Sequence, residues 1–192
     1  TGQLHVGTAR TALYNYLYAR HIGGHFAMRI EDTDVERSKR EHADAFCEML
    51  KWMGITWDGD IIYQSDRFDI YKKAIDGLVE KGLAYECFET PEELEAINVE
   101  RKAQKLAPGY DGRAKNLSEE QKQAFRDAGR AKTIRFATPT EGVSEFVDAI
   151  RGTVKVGWET VSDFVIERSD GTPTFFLANA VDDIEMGITH VI

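Results

Sequence analysis

The chain has 192 residues, of which 42% are hydrophobic and 30% charged, and a formal net charge of −9 at pH 7. This composition is typical of a soluble globular protein and disfavours disorder. No apolar run of about 18 residues is present, so we expect no membrane-spanning helix, and the first five residues do not resemble a signal peptide. Two cysteines cannot build a disulfide framework. We therefore expect a reducing compartment, and one large or two small domains.

The charge is distributed unevenly along the chain. Residues 101–135 contain ten basic and four acidic residues, a net charge of +6, whereas residues 41–100 carry −10 and residues 136–192 carry −7. Such a basic block could contact a phosphate backbone while the acidic remainder repels it. The alternative is a solvated helical surface, which charge alone favours.

Helix and strand patterns alternate over the first 82 residues. An apolar strand is predicted over residues 26–30, and it is followed by an acidic stretch. Helices that each end before a glycine are predicted over residues 9–22, 40–53 and 66–81. Because strands that alternate with helices form parallel sheets covered by helices, we predict an α/β body.

The pattern changes after residue 82. Thr90-Pro91-Glu92-Glu93 and Asn116–Gln121 are typical helix starts. A loop is predicted over residues 107–113 and a turn over 169–173. Further predicted elements are strands over 133–137, 153–156 and 164–168, a helix over 177–186 and a strand from Thr189 to Ile192. We therefore predict a mixed α/β insert at residues 83–170 and a return to the body at 171–192.

The first candidate site is the segment from Gly2 to Thr8, which precedes the first predicted helix. A helix N-terminus has unpaired N–H groups and a partial positive charge, so it attracts phosphate. Gly7 would allow a base or sugar to approach the backbone, and His5 could donate to phosphate oxygens. Neither a Walker loop nor a Gly-x-Gly-x-x-Gly motif is present. On these residues alone, a plain loop in which Thr8 caps the helix is the favoured interpretation.

The second candidate site is the acidic stretch that follows the predicted strand, Arg29–Asp34. Ligands of open parallel sheets bind at the carboxyl ends of the strands. Carboxylates there could bind an amino group, a sugar hydroxyl or Mg²⁺. A calcium loop is excluded because Arg37 stands where that loop needs glycine. The alternative is a set of surface salt bridges and helix caps.

Two further segments contain residues that could carry chemistry. Cys87-Phe88-Glu89 and residues 110–114 offer one cysteine, too few for a four-ligand zinc site, so we predict no bound metal. Asn179 lies in an apolar run and needs a hydrogen-bond partner if it is buried. It could instead be a satisfied core amide or part of a surface turn. No pattern indicates covalent catalysis.

Taken together and in order, these segments resemble the bacterial glutamyl-tRNA synthetases, a family of class I aminoacyl-tRNA synthetases. The matching pieces are TGQLHVGTARTALYNYLYAR, RIEDTD, YQSDRF, AYECFETPEELE, YDGRAKN, SDGTPTFFLANAVDD and MGITHVI. The resemblance implies a Rossmann-like catalytic domain at residues 1–82 and 171–192, incomplete here, with an inserted acceptor-stem-binding domain at 83–170. It also implies an N-terminal fragment of a longer enzyme, without the lysine-rich KMSKS loop and the anticodon-binding domain.

The resemblance assigns roles to residues of the catalytic domain. His5, Gly7 and Thr8 correspond to the HIGH-type signature, which implies that they bind ATP and act in catalysis. Glu31 corresponds to the residue that contacts the amino group of glutamate. Asn179 and Phe175 correspond to residues of the amino-acid pocket, where Phe175 replaces a common tyrosine and lacks its hydroxyl.

The resemblance also bears on the insert. Cys87 and Tyr110 are remnants of a zinc site found in some members, and Glu89 and Ala114 replace two of its ligands. We therefore expect no zinc. The basic block at residues 101–135 is implied to bind tRNA, with Arg113 and Lys115 as candidate contacts.

The function implied by the resemblance is attachment of L-glutamate to tRNA(Glu) through a glutamyl-adenylate, with ATP and Mg²⁺ as the substrate complex. The implied enzyme is a cytoplasmic monomer that binds no membrane. One competing function is glutamylation of queuosine in tRNA(Asp), although residues 90–93 and 110–116 favour the synthetase. A second is that of a glutaminyl-tRNA synthetase, and a third is that of an ATP- or tRNA-binding fragment without turnover.

Overall fold

The structure is a computed structural model that describes residues 5–34 and 38–192. These residues divide into two compact units. Unit 1 comprises the described residues up to Tyr71 together with Phe175–Ile192, and unit 2 comprises Lys72–Thr174. Among the described residues, no helix combines the length and apolar character that crossing a membrane requires. The assignment of residues 83–170 to an acceptor-binding domain stays a prediction, because compactness does not reveal what unit 2 binds.

The described residues form six α-helices, seven β-strands and three 3₁₀ turns. The helices are α1 (Val6–His21), α2 (Arg40–Trp52), α3 (Phe68–Glu80), α4 (Pro91–Ala103), α5 (Glu119–Asp127) and α6 (Phe175–Glu185). The strands are β1 (Arg29–Ile30), β2 (Ile62–Tyr63), β3 (Ala84–Cys87), β4 (Thr133–Phe136), β5 (Val143–Asp148), β6 (Gly152–Gly157) and β7 (Val165–Glu167). The 3₁₀ turns are Gln64–Arg67, Arg113–Asn116 and Trp158–Thr160. Every helix predicted from the sequence is confirmed, with ends that shift by a few residues.

Local capping residues define the helix ends. The Thr90 side chain accepts from the Glu93 amide while the Glu93 side chain accepts from the Thr90 amide, a complete capping box at the start of α4. Ser118 and Gln121 make the same reciprocal pair at the start of α5. The glycines that follow α1, α2 and α3 adopt the left-handed conformation that ends a helix, with φ angles of 68° at Gly23, 79° at Gly54 and 69° at Gly82.

Parallel pairing in unit 1 is short. β1 and β2 pair in parallel with Arg29 opposite Ile62 and Ile30 opposite Tyr63. The prediction of a strand over residues 26–30 is too long. The Phe26 carbonyl accepts from the Asp58 amide at 2.8 Å, and the Phe26 amide donates to Asp58 Oδ2 at 2.9 Å, so this end of the segment bonds to a loop.

The core of unit 1 packs beside this pair of strands. Its fully buried members are Met28, Leu50 and Ile55, and partly buried side chains of α1, α2 and the neighbouring loops surround them. Full burial of such side chains contributes about 1.5–3 kcal/mol each. The core therefore holds α2 against β1 and fixes the strand end where the candidate site begins.

Unit 2 contains an antiparallel sheet in the order β3-β4-β7. β3 pairs with β4 from Ala84 opposite Phe136 to Cys87 opposite Thr133. A buried cluster of Cys87, Ile97, Tyr110 and Ala114 packs α4 and the 3₁₀ turn at Arg113–Asn116 against this sheet. The predicted loop before that turn and the predicted turn at residues 169–173 are both free of helix and of strand ladders.

Two parts of the sequence prediction are wrong. No strand forms between Thr189 and Ile192, because no described strand pairs with these residues. A strand that was not predicted, β5, pairs with β6 in an antiparallel hairpin. Its apolar side chains Phe146 and Val147 are adjacent and both exposed, so the segment lacks the alternation that reveals a half-buried strand.

Candidate active site

A cavity of about 360 Å³ lies in unit 1 at the carboxyl end of β1. Its lining residues come from the start of α1, the end of β1, the start of α2 and β2: His5, Thr8, Arg29, Ile30, Glu31, Asp32, Ser38, Lys39, Arg40, His42, Ala43, Phe46 and Tyr63. The structure thus brings together two predicted ATP residues, His5 and Thr8, and the predicted glutamate residue Glu31. Residues Gly2–Leu4 of the first candidate segment lie outside the described residues.

His5 is the N-cap of α1. Its Nδ1 accepts a hydrogen bond from the Gly7 amide at 3.1 Å, and its Nε2 lies 3.2 Å from Thr8 Oγ1. Because Nδ1 accepts, the neutral ring carries its proton on Nε2, which is the nitrogen that can donate to an anion. The interpretation in which Thr8 caps the helix is wrong, since the imidazole occupies that role.

Gly7 is required by the conformation of His5. A Cβ atom at position 7 would stand 2.9 Å from Cε1 and 3.0 Å from Nδ1 of the His5 ring. Such a contact would force the ring away from the amide that it caps. The glycine therefore permits the close approach of the imidazole to the helix N-terminus, where the macrodipole and the amide groups favour an anion.

The two carboxylates that follow β1 have different surroundings. Asp32 is buried and accepts from the Ser65 amide at 2.8 Å and from Ser65 Oγ at 2.6 Å. Both of its oxygens thus join the carboxyl ends of β1 and β2. The Glu31 side chain is 41% exposed and accepts a longer bond, from Arg29 Nη2 at 3.3 Å. Glu31 is consequently the carboxylate with capacity left for a ligand.

Several cations and one orphaned hydroxyl also line the cavity. Lys39, Arg40 and His42 come from the start of α2, and Arg40 binds Asp66 at 2.7 Å. Ser38 Oγ is buried and has no hydrogen-bond partner in the part of the chain that the structure describes. A buried polar atom without a partner is costly unless a ligand or water satisfies it. These residues suit a polar, negatively charged ligand.

The predicted pocket residues of α6 lie one helical turn apart. Phe175 and Asn179 share a face of the helix, and Phe175 is exposed and packs edge-on against Phe176 with ring centroids 5.9 Å apart. Arg29 connects this helix to the cavity, because its Nη1 donates to Asp183 Oδ1 at 2.6 Å while its Nη2 donates to Glu31. Phe175 and Asn179 do not line the 360 Å³ cavity itself.

A buried polar cluster supports α6. Asp182 is fully buried and accepts from Arg67 Nε at 2.8 Å, from Tyr71 OH at 2.9 and 3.0 Å, and from Gln64 Nε2 at 3.0 Å. Gln64 Nε2 also donates to Asn179 Oδ1 at 2.9 Å. Burial and the bond to Asp182 raise the pKa of the Tyr71 hydroxyl, so it remains a donor at neutral pH.

Sequence reasoning assigned no role to Gln64, Arg67 or Asp182. A signal was available for Asp182, which stands within the apolar helix α6 and therefore needs a cationic or donor partner. No local pattern identifies that partner, because Gln64 and Asp182 are 118 positions apart.

The predicted zinc-site remnant forms a hydrogen-bonded cluster in unit 2. The Cys87 thiol donates to Glu89 Oε2 at 2.9 Å, and Arg135 Nε donates to Cys87 Sγ at 3.2 Å. Tyr110 OH donates to Glu89 Oε1 at 2.7 Å and accepts from the Ala114 amide. Burial and the bond to Glu89 raise the pKa of the Cys87 thiol, whereas a zinc ligand must be a thiolate. The absence of bound zinc stays a prediction.

The side chains that usually bind metals are dispersed over the fold. Among the residues that the structure describes, no group of three or more His, Cys, Asp or Glu side chains is placed to hold a metal ion.

Most cations of the basic block are engaged within unit 2. Arg113 pairs with Asp111 at 2.7 Å and Lys115 with Asp163 at 2.7 Å, so both candidate tRNA contacts already have acidic partners. Four further cations pair with acidic side chains: Lys122, Arg126, Arg130 and Lys132. Within the described residues, no ion pair is formed by the cations at the end of α4: Arg101, Lys102 and Lys105.

The comparison with protein families defines the class. The whole of residues 1–192 matches the family described as "tRNA synthetases class I (E and Q), catalytic domain", where E and Q denote glutamate and glutamine. The chain therefore belongs to this family of class I synthetase catalytic domains, and the resemblance drawn from its motifs is confirmed. The mixed α/β fold class is confirmed as well.

Individual relatives narrow the similarity to one amino acid. The chain is 48% identical over 194 residues to a glutamate–tRNA ligase of Nitratidesulfovibrio vulgaris strain DP4, and 50% identical over 200 residues to one of Thermosynechococcus vestitus. It covers 100% of its own length in both alignments, but 40% and 41% of theirs. The chain thus spans about two fifths of the length of these relatives.

Solved structures show the same similarity. The chain matches a crystal structure of a glutamate tRNA ligase from Elizabethkingia meningosepticum, determined in complex with its amino acid, with a TM-score of 0.87 and 38% identity. The match covers 100% of this chain and 41% of that one. A glutamate-tRNA synthetase from Elizabethkingia anophelis gives the same TM-score and identity.

Proposed function

We propose that this chain forms the adenylate-forming part of an enzyme that attaches L-glutamate to tRNA(Glu). The observation that carries the proposal is the single cavity that gathers His5 and Thr8 from the N-terminus of α1 with Glu31 from the end of β1. A phosphate-binding helix end and a carboxylate with spare capacity are what ATP and an amino acid require. The family match and the glutamate-specific relatives support the same assignment.

ATP binds with its phosphates toward the start of α1. The Nε2–H group of His5 donates to a phosphate oxygen, Thr8 offers a second polar group, and Gly7 allows the close approach. Lys39, together with the neighbouring basic residues of the cavity, adds positive charge. Mg²⁺ enters with ATP as part of the substrate complex, where it neutralises phosphate charge.

Glutamate binds between the end of β1 and α6. Glu31 accepts from the substrate ammonium, which is a charge-assisted hydrogen bond of the stronger kind. Asn179 donates to an oxygen of the substrate, and Phe175 supplies an apolar wall without the hydroxyl that a tyrosine would add.

The reaction proceeds in two displacements. A glutamate carboxylate oxygen attacks the α-phosphorus of ATP, the new P–O bond gives glutamyl-adenylate, and the bond to the β-phosphate oxygen breaks to release pyrophosphate. A terminal ribose hydroxyl of tRNA then attacks the activated carbonyl, AMP leaves with the C–O bonding electrons, and the hydroxyl proton passes to solvent. Positioning and charge stabilisation, which His5 and its neighbours provide, carry most of this chemistry.

Unit 2 contributes the acceptor end of the tRNA to this site. The basic block at residues 101–135 binds its phosphates, with Arg113 and Lys115 at its centre. The cluster of Cys87 and Tyr110 holds the fold of unit 2 through hydrogen bonds and binds no zinc. The enzyme acts as a cytoplasmic monomer.

Charging by the full-length protein tests the proposed function. We expect an alkali-labile glutamyl product on a tRNA(Glu) transcript, formed only with ATP and Mg²⁺. Parallel reactions on tRNA(Gln), on a tRNA(Asp) transcript and on native queuosine-containing tRNA(Asp) test the competing functions. Label confined to the modified tRNA(Asp) would replace the proposed function with queuosine glutamylation.

A further inference from the structure

Gln64 is a fully buried amide that two acceptors share. Its Nε2 donates to Asp182 Oδ2 at 3.0 Å and to Asn179 Oδ1 at 2.9 Å, and the residue is 0% exposed. An amide nitrogen has two hydrogens, so both are used. Its Oε1 is buried without a hydrogen-bond partner in the described part of the chain. The cluster thus leaves an acceptor unsatisfied while it directs both donors inward.

The orientation of Gln64 follows from Asp182. The carboxylate of Asp182 is ion-paired with Arg67 at 2.8 Å and accepts from Tyr71, so it can only accept from Gln64 as well. Turning the Gln64 amide would place Oε1 against this carboxylate. Asp182 therefore fixes which end of the Gln64 amide faces it.

The orientation of Asn179 follows in turn from Gln64. Because Gln64 Nε2 donates, Asn179 must present Oδ1 to it, and the Asn179 Nδ2 group then points away from this bond. We infer that Gln64, held by Asp182, is a positioning residue that makes Asn179 a hydrogen-bond donor to a carboxylate or carbonyl oxygen of the amino-acid substrate. This inference rests on the proposed function, which places Asn179 in the glutamate pocket.

Two replacements of Gln64 separate positioning from packing. Q64M keeps the length of the side chain and removes both donors, so Asn179 loses its orientation. Q64E is nearly isosteric, but its carboxyl group has one proton, which the Asp182 carboxylate takes. The same oxygen then accepts from Asn179 Nδ2, which turns the Asn179 carbonyl toward the substrate.

The experiment is a double-mutant cycle between Gln64 and Asn179 in the full-length protein. We expect Q64M to raise the KM for glutamate about tenfold, the scale of one hydrogen bond to a charged group. Q64E is expected to raise this KM further. Both leave kcat and the KM for ATP within about twofold, since only substrate binding is lost. In the Asn179→Ala background, Q64M is expected to add nothing to the glutamate KM.

Each contrary outcome is distinct. A double variant whose KM equals the product of the two single effects would overturn positioning through Asn179, and so would an unchanged glutamate KM in Q64E. Thermal unfolding checks that each variant folds, and if Q64M does not fold, Q64E decides alone by the same criterion. A wild-type protein that charges tRNA(Glu) preserves the proposed function whatever the cycle gives, whereas a wild type that charges no tRNA overturns both.

Discussion

At the scale of single residues, the site distinguishes side chains that the sequence makes look alike. Glu31 and Asp32 are adjacent carboxylates at the end of β1, yet Asp32 holds Ser65 with both oxygens while Glu31 stays open to the cavity. His5 likewise has two tasks, since one ring nitrogen caps α1 and the second can donate to a ligand. A substitution at His5 therefore changes helix stability and ligand binding together.

His5→Ala is expected to slow glutamyl-adenylate formation about 10²–10³-fold, the loss that follows removal of one preorganised donor. His5→Asn is the matched control for the cap, because an asparagine at the N-cap accepts from the helix amides but lacks the Nε2–H group. We expect His5→Asn to retain the thermal stability of the wild type and still lose most of the rate. Single-turnover adenylate formation and thermal unfolding measure the two effects. Full activity in His5→Asn would contradict the role of Nε2–H.

At the scale of elements, the features predicted correctly are those encoded by neighbouring residues. The capping boxes at Thr90 and Ser118 and the glycines after α1, α2 and α3 act within one helical turn, so the sequence reveals them. The length of β1 was not predictable, because it depends on Asp58, which is 32 positions from Phe26. The cavity residues were found through a resemblance, whereas Gln64 and Asp182 were missed because their contact is long-range.

The loop between α2 and β2 contains a pH-sensitive anchor for α1. Asp58 accepts from Arg20 of α1 at 2.7 Å and from the Phe26 amide, and these bonds lower its pKa from 3.8 to about 2. A carboxylate whose pKa falls on folding adds stability above its unfolded pKa and loses it as the pH falls through the folded pKa. The wild-type protein is therefore expected to lose this contribution between about pH 4 and pH 2.

Asp58→Asn tests this anchor. We expect a lower unfolding temperature than the wild type at pH 7 and a flatter dependence between pH 4 and pH 2, because the titrating carboxylate is gone. Asp60→Asn, in the same loop and exposed, is the control and should follow the wild-type curve. Circular dichroism melts across this pH range give the comparison. Parallel curves for the wild type and Asp58→Asn would exclude a stabilising role for the Asp58 carboxylate.

At the scale of the whole molecule, net charge is a poor guide to where nucleic acid binds. The chain carries −9 overall and +6 over residues 101–135, but most cations of that block are paired with acids of unit 2. An internal pair must be broken or shared before its cation can replace a counterion on a phosphate. The cations at the end of α4 have no such partner in the described residues and are the ones we expect to contact tRNA.

The double variant Lys102→Gln with Lys105→Gln is expected to weaken tRNA binding and to lower the slope of log Kd against log salt by about 1–2. Lys122→Gln with Lys132→Gln removes the same charge from lysines that pair with Glu119 and Glu86. This control should leave the slope nearly unchanged. Filter binding at several salt concentrations measures both variants, and equal losses of slope would show that the ion pairs do not matter.

Unit 1 is assembled from two stretches of chain that flank unit 2, and this has a consequence for the order of events during synthesis. The bonds that join α6 to the first stretch span 111 to 154 positions. A ribosome that adds about 5–20 residues per second needs roughly 5–20 s to pass from Tyr71 to Phe175. In the nascent protein, Gln64, Arg67 and Tyr71 await Asp182 throughout that interval. The amino-acid pocket is therefore among the last parts of the molecule to become organised.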